Sequence, residues 1–469
     1  MSGRPQPLIV GAGPAGIRAA EALVAAGLRP LVVDEAPACG GQIYRQRLVQ
    51  DGRSTKELYG SEAGKAERLH AAFAALEGRI DYWPQALLWN SRDGVADIAV
   101  GGTSRRVAYD GLVLATGATD RVLPVPGWTL PGVFTLGGSQ IALKAQGCAI
   151  GSRVVFAGSG PLLYLVAWQY MKAGVEVAAV LDAAPAAAKL NLIKALPLDA
   201  GIVLRGARFV AELRLRGVAI RTGIEGLRFE GEGRVSGVSW REGGRERRLA
   251  CDGVGYGLAL RSETQLADLA GCAFRFNQRD RAWLPQRDAA GRASVAGVYL
   301  AGDSAGIAGA DAAERAGERA ALALLEDRGL AIDKARATAL EAELARIGRL
   351  RDALEAAFPF PAHWAAMIED ATPLCRCEEI TAGSIREAAS RLDISEINRL
   401  KAVSRVGMGR CQGRMCSAAS AEVLAAATAK PLDAVGRLRA QAPVKPIPLA
   451  LQLAAGEPEA VAGQPETVE

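Results

Sequence analysis

The fold is decided by residues 7–35, which read PLIVGAGPAGIRAAEALVAAGLRPLVVDE. A short apolar run ends in a glycine-rich turn, an alanine-rich stretch follows, and Leu31–Val33 is a second apolar run. Short apolar strands on either side of a helix are typical of a βαβ unit with parallel strands. Gly27 ends the helical stretch, as a glycine often does. The stretch therefore predicts an α/β protein.

The turn of this unit has the spacing Gly11-x-Gly13-x-x-Gly16. Between a strand and a helix, the first glycine allows a tight turn and the second lets the backbone approach a pyrophosphate. The third lets helix and strand pack closely, and the pyrophosphate then faces free N–H groups at the positive end of the helix. The turn is predicted to contact a dinucleotide through Gly11, Gly13, Pro14, Ala15 and Gly16.

Two acidic residues follow the second apolar run of the unit. Asp34 lies 18 residues after Gly16, where a carboxylate accepts hydrogen bonds from the ribose of a dinucleotide. Glu35 is the neighbouring candidate for the same contact. Strand, turn, helix and acid together favour a bound dinucleotide over a glycine turn that only packs an α/β core.

A second unit of the same kind has its turn at residues 158–163, GSGPLL. Leu163 stands where the third glycine belongs, so helix and strand are expected to pack less closely. Asp182 follows the next apolar run, and no arginine cluster comes after it to hold a 2′-phosphate, which disfavours NADP. Gly158, Gly160 and Asp182 are therefore candidates for binding NAD or ATP, and a domain kept only for its structure remains the alternative.

Composition bounds the class of protein. The 469 residues carry a formal charge of +5, are 50% hydrophobic and 23% charged, and include only two histidines. These values are ordinary for a globular protein of several domains, and so mild a charge argues against nucleic acid as a partner. We find neither an N-terminal leader nor a run of ~20 apolar residues that could span a membrane, so we expect a cytoplasmic protein with reduced cysteines.

Four of the eight cysteines form two close pairs. Cys375 and Cys377 have the spacing C-x-C, and after 33 residues Cys411 and Cys416 have the spacing C-x4-C. Four thiolates in two such pairs can hold one metal centre, and the first spacing is tight for a zinc knuckle. An iron–sulfur cluster, zinc and free thiols are the alternatives that the residues themselves leave open. The other four cysteines are isolated and are expected to pack as small buried hydrophobes.

The cysteine spacing resembles that of the bacterioferritin-associated-ferredoxin-like [2Fe–2S] domain. In that family C-x-C precedes two short helices and a C-x4-C loop, and residues 407–414, GMGRCQGR, match the loop closely. The resemblance implies a small α-helical domain whose cluster ligands are Cys375, Cys377, Cys411 and Cys416. Basic side chains would offset the negative charge of the cluster, namely Arg376, Lys401, Arg405, Arg410 and Arg414.

Two further segments separate FAD from NAD by resemblance. Residues 114–118, LATGA, and 300–303, LAGD, are similar to signatures of the two-dinucleotide-binding flavoproteins, a Rossmann-type group that includes glutathione and thioredoxin reductases. Residues 40–42, GGQ, resemble the segment that lies against the isoalloxazine ring. The group implies further FAD contacts at Gly41, Gln42, Thr116, Gly117, Gly302 and Asp303. Its disulfide reductases place C-x-x-C or C-x4-C beside the flavin, which this chain lacks, so disulfide chemistry is not expected.

From about Leu8 to Leu424 the chain resembles the α subunits of heteromeric amino-acid and opine dehydrogenases. These include D-hydroxyproline and L-proline dehydrogenases, octopine and nopaline oxidases and hydrogen cyanide synthase, and the shared runs include residues 144–147, KAQG, and 301–310, AGDSAGIAGA. The family implies a β subunit, similar to D-amino-acid oxidases, that oxidises the C–N bond with its own flavin, and in some complexes a small ferredoxin-like subunit. Some members hold ATP in the FAD framework or place FMN at the α/β interface, so both cofactors stay open.

The resemblance implies an electron-transfer subunit of the D-hydroxyproline, proline or opine class, with peripheral association at a membrane as one route to its acceptor. No catalytic residue is assigned. The alternatives are a self-sufficient NAD(P)H-dependent ferredoxin or dye oxidoreductase and a non-catalytic subunit with a structural nucleotide. The predicted parts are an FAD domain over 1–125 and 265–350, a second dinucleotide-binding-like domain over 126–264, a linker over 351–370, the [2Fe–2S] domain over 371–433 and a flexible tail over 434–469.

Overall fold

The computed structural model describes residues 6–47, residue 52 and residues 54–453. The chain forms two compact units. The first consists of residues 1–118, 262–347 and 439–469, and the second of residues 119–261 and 348–438. The end of the predicted tail, residues 454–469, lies outside the described residues.

A parallel sheet forms the centre of the first unit. Its strands are, in spatial order, Asp81–Trp83, Leu31–Val33, Gln6–Val10, Thr103–Leu114 and Val298–Leu300. Ile9 belongs to the core on one face, whereas Leu8 and Val10 belong to the core on the other. Burial on both faces explains why these strands are continuous apolar runs.

An antiparallel extension uses the first half of the longest strand. Its partners are Val95–Val100 and then Leu87–Arg92. The chain returns to this region near its C-terminal end, where Gln452–Leu453 pairs with the same long strand. A separate hairpin of the first unit joins Phe274–Asn277 to Ala282–Pro285.

Helices flank the parallel sheet of the first unit. They are Pro14–Ala25, Thr55–Tyr59, Ala63–Ala74, Gln265–Leu269 and Ala310–Asp327, with 3-10 turns at Gly60–Glu62 and Gly302–Ala305. Small residues let two of these helices approach closely, because a Cβ on Gly317 would lie 1.9 Å from the carbonyl oxygen of Ala15. The chain passes between the units four times, at Ala118–Asp120, at Leu260–Ser262, within helix Lys334–Ala357 and between Leu438 and Arg439.

The second unit has its own parallel sheet. The strands are, in spatial order, Ala219–Thr222, Glu176–Asp182, Arg153–Ser159, Gly253–Leu258 and Val133–Thr135. An antiparallel sheet of Glu225–Glu230, Gly237–Glu242 and Arg245–Ala250 adjoins it in sequence. The helices of this part are Leu136–Lys144, Pro161–Lys172 and Leu196–Leu215, preceded by the 3-10 stretch Ala186–Ala195.

The cysteine-bearing segment packs into the same second unit. Its elements are a small hairpin, Pro373–Cys375 with Ile380–Thr381, and the helices Trp364–Met367, Ala382–Arg391, Ile397–Ser404, Ser417–Thr428 and Leu432–Val435. A buried ion pair joins Arg121 to Glu422 at 3.2 Å, and the indole N–H of Trp128 donates to the carbonyl of Pro373 at 2.6 Å. Among the described helices, none has the length and apolar character needed to cross a membrane.

Candidate functional site

The first glycine turn brings backbone segments so close together that side chains are excluded. Gly11 has φ +106°, which L-residues rarely adopt, and a Cβ there would lie 2.4 Å from the carbonyl oxygen of Ala115. A Cβ on Gly16 would lie 1.7 Å from the carbonyl oxygen of Gly11. The turn opens helix Pro14–Ala25, which has no side-chain cap, so its first N–H groups can face an anion.

Two of the other predicted FAD segments lie against this turn. A Cβ on Gly41 would lie 3.0 Å from the Cα of Gly13. Gly302 has φ +67°, and a Cβ there would lie 3.0 Å from the Cβ of Ala15. Segments that are distant in the sequence therefore form one surface without side chains, which we call the glycine cradle: Gly11, Gly13, Gly16, Gly41 and Gly302. Such a surface fits a dinucleotide that must approach the backbone closely.

Asp34 faces the cradle from the end of the second strand. Its carboxylate accepts the N–H groups of Ala12 at 2.5 Å and Ala36 at 2.7 Å. Burial raises the pKa of Asp34 above its usual value, and these N–H groups oppose the shift. The side chain is only half-buried, so it can still accept a ribose hydroxyl. Glu35 is exposed and forms an ion pair with Lys445.

Two hydrogen bonds to the backbone of Glu263 hold the turn at Thr116 and Gly117. The hydroxyl of Thr116 donates to the carbonyl of Glu263 at 2.6 Å, and the N–H of Glu263 donates to the carbonyl of Gly117 at 3.0 Å. Sequence reasoning missed Glu263, because it acts here through its backbone and no motif records such a contact. The only signal for Glu263 in the sequence is a polar residue directly after the strand at which the chain returns to the first unit.

Three further groups complete the surroundings of the cradle. Asp303 accepts the N–H groups of Ala308 at 2.8 Å and Gly309 at 3.0 Å, so one of its oxygens orders the start of the next helix. Gln42 is exposed and accepts a hydrogen bond from Arg45 at 3.0 Å. Within the described residues, the buried Nε of Arg45 has no hydrogen-bond partner. A bound anionic group would satisfy such a donor.

The second glycine turn has a similar backbone and a filled interior. Gly158 has φ +137°, and a Cβ there would lie 1.8 Å from the carbonyl oxygen of Gly257. Gly160, at φ +111°, begins helix Pro161–Lys172. Leu163 is fully buried in the core beneath this helix. Leu163 therefore fills the position that Gly16 has in the first turn, and its buried side chain stabilises the domain.

The carboxylate of Asp182 is fully buried, and neighbouring groups of the protein already donate hydrogen bonds to both of its oxygens. Oδ2 accepts the hydroxyl of Tyr164 and the ammonium of Lys189, both at 2.7 Å, and Oδ1 accepts the N–H of Ala184 at 2.9 Å. Burial lowers the pKa of Lys189, and Asp182 opposes that shift. A ribose hydroxyl would have to displace these partners. The residues present therefore do not fit NAD or another adenine nucleotide held in the usual mode.

The four paired cysteines converge at one place in the second unit. Cys416 shares hydrogen bonds with Cys375 and Cys411, and Cys411 also contacts Cys377. The thiol of Cys416 lowers the pKa of Cys375 to about 6 and that of Cys411 to about 5, whereas these contacts raise its own pKa. Cys375 and Cys416 are buried, and Cys377 is exposed. Four neighbouring thiols, of which Cys375 and Cys411 ionise more readily than a free cysteine, are suited to binding a metal centre.

Backbone groups surround these sulfur atoms. The N–H groups of Gly413 and Met415 bond to Cys411, and a Cβ on Gly409 would lie 2.2 Å from the Cβ of Cys377. Among the described residues, no three His, Cys, Asp or Glu side chains are grouped so as to hold a single metal ion. In [2Fe–2S] proteins two irons share the four thiolates. The four converging cysteines supply the number of thiolates that such a cluster needs.

The family model described as pyridine nucleotide-disulphide oxidoreductase matches residues 5–320. The chain belongs to this family. A second model, described as a BFD-like [2Fe-2S] binding domain, matches residues 373–426 of this family member. The first match implies FAD and the second a [2Fe–2S] cluster, so the chain is an oxidoreductase with both cofactor domains.

Relatives of this oxidoreductase are subunits of larger enzymes. An opine oxidase subunit of Rhizobium meliloti is 40% identical over 94% of this chain and 86% of its own length. Hydrogen cyanide synthase subunit HcnB of Pseudomonas protegens is 34% identical over 94% of this chain and 96% of its own length. These relatives imply that the oxidoreductase works with partner subunits.

Solved structures support the same fold. L-proline dehydrogenase from P. horikoshii matches with a TM-score of 0.71 and 18% identity, covering 95% of this chain and 78% of the other. Thioredoxin reductase from T. acidophilum matches with a TM-score of 0.52 and 22% identity, covering 69% and 98%. The predicted fold class, a flavoprotein of the thioredoxin reductase type with an added [2Fe–2S] domain, is thus confirmed, and the relatives named above confirm the predicted family.

The isolated cysteines follow the prediction in three of four cases. Cys39, Cys251 and Cys272 are buried, and burial raises the pKa of each to about 11, so they are poor nucleophiles. The prediction was wrong for Cys148, which is exposed in the loop that follows helix Leu136–Lys144.

Proposed function

We propose that the chain is the electron-transfer α subunit of a heteromeric dehydrogenase that oxidises the C–N bond of an amino acid or opine, in the D-hydroxyproline, proline or opine class. One observation carries the proposal. A flavoprotein fold and a [2Fe–2S] domain occur in one chain that is 40% identical to an opine oxidase subunit over 94% of its length. A β subunit similar to D-amino-acid oxidases removes the electrons from the substrate.

The residues of this chain divide between the two cofactors. A bound flavin accepts electrons in pairs and can release them singly, which suits a cluster that takes one electron at a time. The proposed FAD contacts are Gly11, Gly13, Pro14, Ala15, Gly16, Asp34, Gly41, Gln42, Thr116, Gly117, Gly302 and Asp303. The proposed cluster ligands are Cys375, Cys377, Cys411 and Cys416.

The placement of two tyrosines supports a separate subunit for substrate oxidation. Tyr256 is fully buried, and its hydroxyl donates to the carbonyl of Leu123 at 2.6 Å. Tyr44 is also fully buried, and its hydroxyl donates to Glu62 at 3.3 Å. A general acid or base must reach the proton that it transfers, and these phenols are sealed in their cores.

The second dinucleotide fold supports electron entry from a partner rather than from NADH. The carboxylate of Asp182 is already bonded to Tyr164 and Lys189. This observation disfavours a self-sufficient NAD(P)H-dependent reductase, which would need that domain to bind its donor. ATP in the same domain is disfavoured for the same reason.

The test compares the purified chain with the complex isolated from its native cells through a tag on the chain. Under anaerobic conditions the complex should reduce a dye with D-hydroxyproline, L-proline, octopine or nopaline, and the chain alone should not. NADH should leave the flavin absorbance at about 450 nm unchanged in the chain alone. Substrate oxidation by the isolated chain, or bleaching by NADH, would contradict the proposal.

Native mass spectrometry with flavin and iron analysis identifies the partners. We expect a D-amino-acid-oxidase-like β subunit, and a small ferredoxin-like subunit would account for a third component. FMN in the complex but not in the separated subunits would place it at the interface. Recovery of the complex with membranes at low salt and its release at high salt would support peripheral association with a membrane acceptor.

A further inference from the structure

Arg261 reaches the loop between two of the proposed cluster ligands. Its guanidinium donates to the carbonyl of Arg414 and to the hydroxyl of Ser417, both at 2.8 Å, and to the carbonyl of Gly413 at 3.5 Å. Cys411 and Cys416 enclose this loop in the sequence. No motif of the sequence points to Arg261, because it lies about 150 residues before the loop.

The peptide units that Arg261 holds are the ones whose N–H groups point towards Cys411. The N–H of Met415, which shares a peptide plane with the carbonyl of Arg414, bonds to the sulfur of Cys411. The N–H of Arg414, which shares a plane with the carbonyl of Gly413, donates to the carbonyl of Cys411 at 3.1 Å. In a planar trans peptide, C=O and N–H point in opposite directions. A guanidinium on the oxygen side therefore aims the N–H at the cysteine.

The backbone before Arg261 is itself fixed. Ala259 adopts φ +67°, a left-handed conformation that costs energy for a residue other than glycine. Its N–H donates to the carbonyl of Ser159 at 3.2 Å, and its carbonyl accepts the N–H of Arg121 at 3.1 Å. This kink separates strand Gly253–Leu258 from the short strand Leu260–Ser262, so the guanidinium of Arg261 extends from a strand rather than from a free loop.

We propose that Arg261 is a positioning residue that raises the reduction potential of the [2Fe–2S] cluster by holding the Arg414–Met415 peptide against Cys411. The inference rests on the proposed function, in which the four paired cysteines ligate the cluster. Reduction adds one negative charge to the cluster, and an N–H bond to a ligand sulfur stabilises that charge. The cation on the carbonyl oxygen polarises the peptide and strengthens the same bond.

Arg405 offers a matched comparison for charge alone. It also carries a guanidinium near the cluster, but its side chain is exposed and pairs with Glu378 at 2.8 Å instead of holding a peptide. Arg405→Gln removes one cation and leaves the peptide between residues 414 and 415 in place. A smaller change is expected from this variant than from Arg261→Gln.

The experiment is an EPR-monitored redox titration of the full chain as wild type, Arg261→Gln, Arg261→Lys and Arg405→Gln. In Arg261→Gln the equilibrium constant for reduction of the cluster should fall about tenfold, equal to about 59 mV for a one-electron couple. Arg261→Lys keeps the charge but replaces the rigid guanidinium, whose Nη1 makes these contacts, with a flexible ammonium, so its potential should lie between those of wild type and Arg261→Gln. ENDOR after exchange into D2O should show a deuteron coupled to the wild-type cluster and a weakened coupling in Arg261→Gln.

Each outcome decides for or against the proposal. A wild-type potential in Arg261→Gln, or an equal fall in Arg405→Gln, would overturn the inference while leaving the cluster assignment intact. No reduced-cluster signal in the wild type, with iron absent, would overturn the cysteine assignment and the inference with it. If Arg261→Gln is isolated without iron, Arg261→Lys decides, because a wild-type potential there also overturns the inference.

Discussion

The two glycine turns of the molecule have almost the same backbone and opposite surroundings. Each follows a parallel strand and begins a 12-residue helix whose first residue is proline, Pro14 or Pro161. In each the first glycine has a positive φ and leaves no room for a side chain, at Gly11 and at Gly158. The motif alone therefore does not separate a binding turn from one that only supports the fold.

The acid at the end of the next strand makes the difference. Asp34 is half-buried, and the hydrogen bonds to its carboxylate come from the backbone N–H groups of Ala12 and Ala36. Asp182 is sealed, and a tyrosine and a lysine hold its carboxylate. The comparison teaches that a dinucleotide fold can keep its acid and use it as a structural anchor.

The largest effect is expected from Gly16→Ala, because the new Cβ would lie 1.7 Å from a backbone oxygen. The free energy of unfolding of the first unit should fall by more than about 4 kcal/mol, and the bound flavin should be lost. Gly27→Ala, at φ +81° with open space around it, is the control at the other end of the same helix. That control should cost about 1 kcal/mol and keep its flavin, as the absorbance ratio of flavin to protein will show. A Gly16→Ala protein that keeps its full flavin content would refute the proposal that the glycine cradle binds FAD.

The second-largest effect, a loss in the free energy of unfolding, is expected from Asp182→Asn. Loss of the charge leaves Lys189 without its carboxylate, and breaking such a buried pair costs about 3–5 kcal/mol. Denaturant unfolding should show this loss, and flavin content should stay at the wild-type level. The double variant Asp182→Asn, Lys189→Met should recover part of the stability, since no unpaired cation remains. A variant with wild-type stability that binds NADH would reverse our assignment of the two turns.

A smaller effect is expected from Asp34→Asn. The amide keeps the shape of the side chain but weakens charge-assisted hydrogen bonds, which are worth about 1.5–3 kcal/mol. Flavin affinity should therefore fall by about tenfold or more, measured by titrating the flavin-free protein with FAD and following fluorescence. The same substitution at Asp182 supplies the matched control, because it should leave FAD affinity unchanged. Equal losses of FAD affinity in Asp34→Asn and Asp182→Asn would contradict the different roles assigned to the two turns.

The smallest effect should come from Glu35→Gln. Glu35 is exposed and pairs with Lys445, and exposed ion pairs contribute about 0–1 kcal/mol. We expect no change in FAD affinity and a change in the free energy of unfolding within this range. A tenfold loss of FAD affinity would show that Glu35, rather than Asp34, is the acid that binds the ribose.

Local pattern allowed much of this molecule to be predicted. The turn at Gly11, the acid at Asp34 and the spacing of the cysteines lie within short windows whose geometry the backbone dictates. The partners of Asp182 could not be predicted, because Lys189 reaches it from a 3-10 stretch whose course depends on tertiary packing. Arg261 was missed for a similar reason, since its contact joins residues about 150 positions apart.

The central strand of the first unit, Thr103–Leu114, has consequences for how the protein is made. Its pairing is complete only after Val298–Leu300 and, at its other end, Gln452–Leu453 have been synthesised. At about 5–20 residues per second, Asp303 leaves the ribosome roughly 15–60 s after Gly16. FAD therefore cannot meet its whole binding surface while residues 119–261, the first segment of the second unit, are being translated. A shortage of flavin during synthesis should lower the yield of folded protein, and adding flavin after translation ends should still rescue chains that have not aggregated.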